Sequence, residues 1–218
     1  MNKKENEKAR DMTLSEIENL LGFKINLVKT KAILAKDLAY GDIFQDSLGR
    51  RWVVLENADN CIKALALEAY EISRWRKPNN PTNRHFFTNE YRESVAFLIC
   101  DKLKTLMNNK DCGLYHSYPS DIRYLDGTFC DRIGMAVRLL TFDEAREYVD
   151  LLNQHRIEKN WWLASARRKN IERDECDDIM MVSECGDSVE IDKEFAWKEL
   201  AIRPVAIFSH NATVIVGE

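Results

Sequence analysis

The sequence predicts an α+β protein, a mixed sheet flanked by two helices with a small helix at the N-terminus. Three observations lead there. Apolar runs at 161–166 and 200–208 read as strands, and they frame the charged, hairpin-like stretch 167–199. Two other segments, 91–107 and 142–154, place apolar residues at helical spacing. A third region, 43–67, alternates through three short strand-like runs divided by turns.

Composition fits a folded domain of this class. Of 218 residues, 45% are hydrophobic and 31% charged, enough apolar mass for a core and too much for a disordered chain. Lys and Arg total 32 against 36 Asp and Glu, a formal charge of −4. That balance does not advertise a nucleic-acid or anionic-membrane partner for the surface as a whole. No apolar run approaches the roughly 18–20 residues that span a bilayer, and the charged start of the chain is followed by no apolar signal core. A cytoplasmic protein with no membrane association is expected. The six cysteines, Cys61, Cys100, Cys112, Cys130, Cys176 and Cys185, show neither C-x-x-C pairing nor zinc-type spacing to a histidine. They are expected to be free and mostly buried.

Taken in order, residues 1–35 form an appendage and 36–218 the main domain. Thr13 to Glu16 matches a capping box, and Leu14, Ile17, Leu20 and Leu21 share a face up to the stop at Gly22. Phe23 to Val28 alternates as a strand, and 29–39 fits strand or helix. Turns at 40–42, 47–49 and 57–60 delimit strands at 43–44, 51–55 and 61–67, a three-stranded meander. The stretch 71–87, with Pro78 and Pro81, reads as a long surface loop. With Thr88 or Asn89 as cap, Tyr91, Val95, Leu98, Ile99, Leu103 and Leu106 mark the first major helix, through Met107. Loop-like sequence fills 108–135, and 136–140 is strand-like. Thr141-Phe142-Asp143-Glu144 is a second capping box, opening a helix to about Gln154. The strand at 161–166 is followed by a charged loop, a hairpin of 179–183 with 188–191, a closing strand at 200–208 and a last strand at 213–216.

This order of elements resembles a family of bacterial and phage domains of unknown function related to the C-type-lectin fold. The resemblance covers about residues 36–210 and is carried by Gly41-Asp42-Ile43-Phe44, Arg138-Leu139-Leu140-Thr141, Trp161-Trp162-Leu163-Ala164-Ser165 and Ile202-Arg203-Pro204-Val205. It implies a mixed sheet flanked by two helices, a long insert before the last strand as the variable binding surface, and a phage or prophage origin. Relatives of that fold include variable receptors of diversity-generating retroelements, formylglycine-generating enzymes and sugar-binding lectins, so fold does not select a function.

The residues narrow the choice. Calcium-dependent sugar binding needs oxygen-ligand motifs, yet Asn80-Pro81 lacks a preceding acid and Trp161-Trp162 is not followed by Asn-Asp. The acidic run Asp174, Glu175, Asp177 and Asp178 reads as a solvated face. Formylglycine-type oxidation needs closely placed thiolates, whereas Cys176 and Cys185 are separated in the chain. The four histidines are isolated, without a nucleophile elbow or a phosphate loop. Arg167, Arg168, Lys169 and Arg173 form a basic cluster beside the tryptophans, but neighbouring acids fall within a Debye length of about 10 Å. Such a mixed-charge loop suits a protein interface. Trp161 and Trp162 must face opposite sides of a strand; both are structural, or one anchors an interface. Trp75 and Arg76, in the loop 73–87, belong either to a recognition surface or to aromatics draped over the sheet. Arg203 is expected to tie the sheet to a helix or loop carbonyl.

The expectation is therefore a non-catalytic binding module without cofactor or metal. Its partner is a protein, met by the 167–199 insert through Trp161, Trp162, Arg167, Arg168, Lys169 and Arg173, and by Trp75 and Arg76. Two alternatives stand beside it: an oxidoreductase related to the formylglycine-generating group acting through Cys176 or Cys185, and nucleic-acid binding through the basic loop.

Overall fold

The structure, a computed structural model, describes residues 30–75, 91–116, 118–166, 178–185 and 188–217. The chain divides into two compact units, 1–31 with 217–218, and 32–216. Almost all of the first, including the expected helix at 13–21 and strand at 23–28, lies outside the described residues. The second unit holds nearly all of the described chain.

The fold is α+β and dominated by strands. After β1 (Thr30–Leu34) and a short 3-10 turn, β2 (Ile43–Gln45), β3 (Arg51–Ala58) and β4 (Cys61–Ala66) form the expected antiparallel meander. Glycine permits a left-handed backbone in the turn before β2, at Gly41 (φ 84°), and in the β2–β3 turn, at Gly49 (φ 74°). Strand β5 (Glu71–Arg74) begins the segment expected to be loop; Arg76 and the rest of that loop to Phe87 lie outside the described residues.

The first helix, α1 (Val95–Asn109), starts later than expected. Its cap is Ser94, whose hydroxyl accepts the amide of Phe97 at 2.9 Å, while Tyr91 belongs to a preceding 3-10 turn. The hairpin β6 (Ser120–Arg123) with β7 (Phe129–Ile133) occupies sequence expected to be loop, and β8 (Val137–Arg138) follows. The capping box at Thr141 is present, and it opens α2 (Phe142–Glu147); the expected single helix breaks at Tyr148 and resumes as α3 (Val149–Gln154).

The C-terminal third supplies β9 (Trp161–Ala166), β10 (Asp178–Cys185), β11 (Ser188–Phe195), β12 (Glu199–Ile202), β13 (Val205–Ser209) and β14 (Thr213–Gly217). The single closing strand expected over 200–208 is two strands in different sheets. One sheet runs β1-β14-β2-β3-β4-β13-β8, the other β11-β10-β9-β12-β5, and the chain passes between them at Arg203-Pro204. Proline cannot donate to a ladder, so the crossing falls where a continuous strand would lose a bond. The second sheet is mixed: β12 lies parallel to β9, with Ala201 opposite Trp161, and its other pairings are antiparallel.

Alternation along the strands divides the buried residues between two cores. Trp52, Val54, Ile62, Ala64, Trp162 and Phe208 point to one, and Val53, Leu55, Leu65, Trp161, Val205 and Ile207 to the other. The central strands are therefore buried on both faces and read as continuous apolar runs. Cys61, Cys100 and Cys112 are free, buried thiols. Among the described residues, no helix is long and apolar enough to cross a membrane.

Candidate functional site

Strand β9 positions the insert. The hairpin β10–β11 pairs with it, with Val182 opposite Trp161, instead of standing away from the sheet as a free excursion. Ile179, Met180, Met181, Val182 and Val189 are buried, so the insert contributes to both cores. Two asparagines pin it to the body: Asn160 Oδ1 accepts the Glu184 amide at 3.1 Å, and Asn153 Oδ1, on α3, accepts the Val189 amide at 2.7 Å. Hairpin β10–β11 is thus tied into the sheet, and its outer strand β11 is the edge of that sheet.

The far end of that strand turns back into β12 through Phe195-Ala196-Trp197-Lys198, closed by the Lys198 amide donating to the Phe195 carbonyl at 2.9 Å. Ala196 is buried and roots the turn, while Phe195 and Trp197 remain 48% and 55% exposed. Their rings stack, with centroids 5.7 Å apart and planes within 11°, and the Lys198 ammonium sits 4.9 Å from the Trp197 ring. Leaving two stacked aromatic rings in water forgoes the burial that the rest of the sheet achieves. Neither residue stood out in the sequence, although F-x-W-K ending a charged hairpin was there to be noticed.

The residues expected to form the site fare differently. Trp161, Trp162 and Trp75 are fully buried. Trp162 Nε1 donates to the Ser73 carbonyl at 3.0 Å, and its ring lies 5.8 Å from that of Trp75. Trp161 lies under the Arg203 guanidinium at 5.3 Å. As interface anchors the three indoles are corrected: none is open to a partner, because both faces of β9 carry core around Trp161 and Trp162, and Trp75 packs against Trp162 and Tyr91. Arg167, Arg168, Lys169, Arg173 and Arg76 lie outside the described residues, as do Cys176 and the acidic run up to Asp177. Arg203 meets its expectation, donating from Nε to the Ala66 carbonyl at 2.8 Å and from Nη2 to the His155 carbonyl at 2.6 Å.

A second polar constellation joins the meander to α2. Arg138 grips Glu144 through both terminal nitrogens, each at 2.7 Å, and Lys63 Nζ reaches Glu144 Oε1 at 3.1 Å and Glu56 Oε2 at 2.8 Å. The Thr141 amide also donates to Glu144, so each oxygen of that carboxylate is bound twice. Burial by itself would push the Glu144 carboxyl up, but Arg138 and Lys63 hold it far below the usual carboxylate range. The same balance raises Lys63: burial opposes its charge and the two glutamates outweigh burial. Burial pushes the Tyr148 hydroxyl, 3.3 Å from Lys63, up to about 12. Two cations are matched to two anions here, and the buried carboxylate is fully bound. The group is a structural clasp, open to solvent only at Glu56 and Tyr118.

Among the described residues, no group of three or more His, Cys, Asp or Glu side chains is placed to hold a metal ion. No family model matches this chain, and neither a curated protein nor a solved structure matches it.

Proposed function

We propose that this protein is a non-catalytic binding module that meets a protein partner through the 167–199 insert, with Phe195 and Trp197 as the anchoring side chains. The observation that carries this reading is the stacked, half-exposed aromatic pair where β11 leaves the hairpin and turns toward β12, beside strands otherwise fixed into the sheet. Binding hot spots favour large aromatics on pre-organised supports, since little side-chain freedom remains to be lost on association. Lys198 over the indole adds a charge at the rim, where it steers approach and selects partners. The resemblance to C-type-lectin-related domains, in which this insert presents the binding surface, agrees with the choice of face.

The test compares the wild-type chain with Phe195→Ala/Trp197→Ala as baits in extract from the native host. Both side chains are half exposed, so the variant should keep its fold by circular dichroism. Loss of one specific captured protein, with affinity for the purified partner falling at least about tenfold, is the expected result. An unchanged set of captured proteins would remove the insert from consideration.

A further inference from the structure

A cleft of about 270 Å³ is lined among others by Gln45, Arg50, Arg51, Glu68, Tyr70 and Pro204. Its walls are fixed by backbone bonds: the Leu67 amide donates to the Arg51 carbonyl at 3.0 Å, and the Tyr70 amide to the Ile202 carbonyl at 2.8 Å. Arg50 lies across the Tyr70 ring, its guanidinium carbon 4.8 Å from the ring centroid. That stacking immobilises a long side chain whose freedom would otherwise be lost on binding.

The charge so placed has no carboxylate partner among the described residues. Arg51 is paired with Glu68 at 2.7 Å. The acid nearest to Arg50 in the chain, Asp46, is committed elsewhere: Oδ1 accepts the amides of Leu48 and Arg50, and Oδ2 accepts Trp52 Nε1 at 3.0 Å. One Arg50 nitrogen, Nη1, is buried with no acceptor among the described residues, so the guanidinium is short of hydrogen bonds. The three charged lining residues, Arg50, Arg51 and Glu68, leave the cleft with one positive charge in excess.

We propose that this cleft binds a small molecule bearing an oxyanion, a carboxylate or a phosphate, with Arg50 as the charge partner and Tyr70 as the surface that holds Arg50 in place. The site is independent of the insert, and neither reading depends on the other. A guanidinium offers paired donors to either oxyanion, which is why the two chemistries share this site.

The experiment titrates the full chain with inorganic phosphate, pyrophosphate, citrate and benzoate at constant ionic strength, following amide shifts and thermal stability. Saturable binding of at least one probe is expected, with amide shifts centred on Gly49 and Tyr70. Arg50→Gln should weaken binding about tenfold or more, the loss of one charge-assisted contact, while Arg51→Gln/Glu68→Gln, which removes an ion pair and keeps the net charge of the cleft, should change it less than about threefold. A response to the phosphates alone assigns a phosphate ester, and one to citrate or benzoate a carboxylate. Should Arg50→Gln fail to fold, Tyr70→Ala must still weaken binding. The proposal is overturned if no probe saturates, if the shifts lie elsewhere, or if folded Arg50→Gln or Tyr70→Ala binds like the wild type.

Discussion

Glu144 is a carboxylate that the fold has bound on every side. It takes two nitrogens of Arg138, the ammonium of Lys63 and the amide of Thr141 within a site only 9% exposed. Replacing it by Gln leaves Arg138, fully buried, without its anion, and an uncompensated buried charge costs about 3–5 kcal/mol. The urea midpoint of Glu144→Gln at pH 7 should fall accordingly. The pH dependence has a definite sign. Because the folded carboxyl sits below its unfolded value of 4.5, its contribution is complete above that pH and is lost as the pH falls through and below it. Lys63 behaves oppositely: its folded value is raised above 10.5, so its contribution holds below that pH and fades only in stronger alkali. Urea titrations between pH 7 and 3 should show the wild type losing stability on acidification more steeply than Glu144→Gln. Parallel curves would mean that other carboxylates set the acid limit.

Helix α2 depends on the same residue in its second role. The Thr141 hydroxyl accepts the Glu144 amide at 3.2 Å and the Glu144 carboxylate accepts the Thr141 amide at 3.0 Å, a reciprocal cap at the start of a helix of six residues. So short a helix has little stability of its own. Thr141→Ala should therefore cost about 1–2 kcal/mol, measured by chemical denaturation, and should speed exchange of the Ala145 and Tyr148 amides more than those of α1. Equal exchange in both helices would show that packing, not the cap, holds α2. This cap was readable in the sequence because its signal is local and stereochemical, as were the meander turns at Gly41 and Gly49 and the β10–β11 hairpin. What escaped was structure whose cause lies elsewhere in the chain. Tyr91 keeps the apolar spacing of α1 but sits in a 3-10 turn, its hydroxyl accepting the Leu139 amide at 3.0 Å, so the helix starts at Ser94. Hairpin β6–β7 buries only one isoleucine per strand, Ile122 and Ile133, and its other positions are largely polar, with Arg132 paired to Asp121 at 2.7 Å, so little apolar alternation is there to read. The aromatic pair at Phe195 and Trp197 was unreadable for a related reason: a sequence names large apolar residues without saying which of them the core will fail to cover.

The two sheets are joined where Ile202-Arg203-Pro204-Val205 leaves β12 and enters β13, and the side chain at that crossing spans more than the backbone does. Arg203 is fully buried. Its Nε reaches the Ala66 carbonyl at the end of β4 in the first sheet, its Nη2 reaches the His155 carbonyl just beyond α3, and its flat face lies on Trp161 of the second sheet. Burial draws the guanidinium down to about 10, which still leaves it charged at neutral pH. A lysine would keep the charge but lose the planar fork, and could not satisfy both carbonyls while stacking on the indole. Arg203→Lys should thus destabilise the protein by about 2–4 kcal/mol. The more informative measurement is native-state hydrogen exchange at two amides, Ala201 in the second sheet, bonded to the Asn160 carbonyl, and Ile207 in the first, bonded to the Ala136 carbonyl. If one side chain couples the sheets, the two amides should exchange faster by the same factor, since opening either would then open both. Acceleration at only one of them would mean that the sheets unfold separately and that the shared cores on their two faces, rather than this arginine, hold them together.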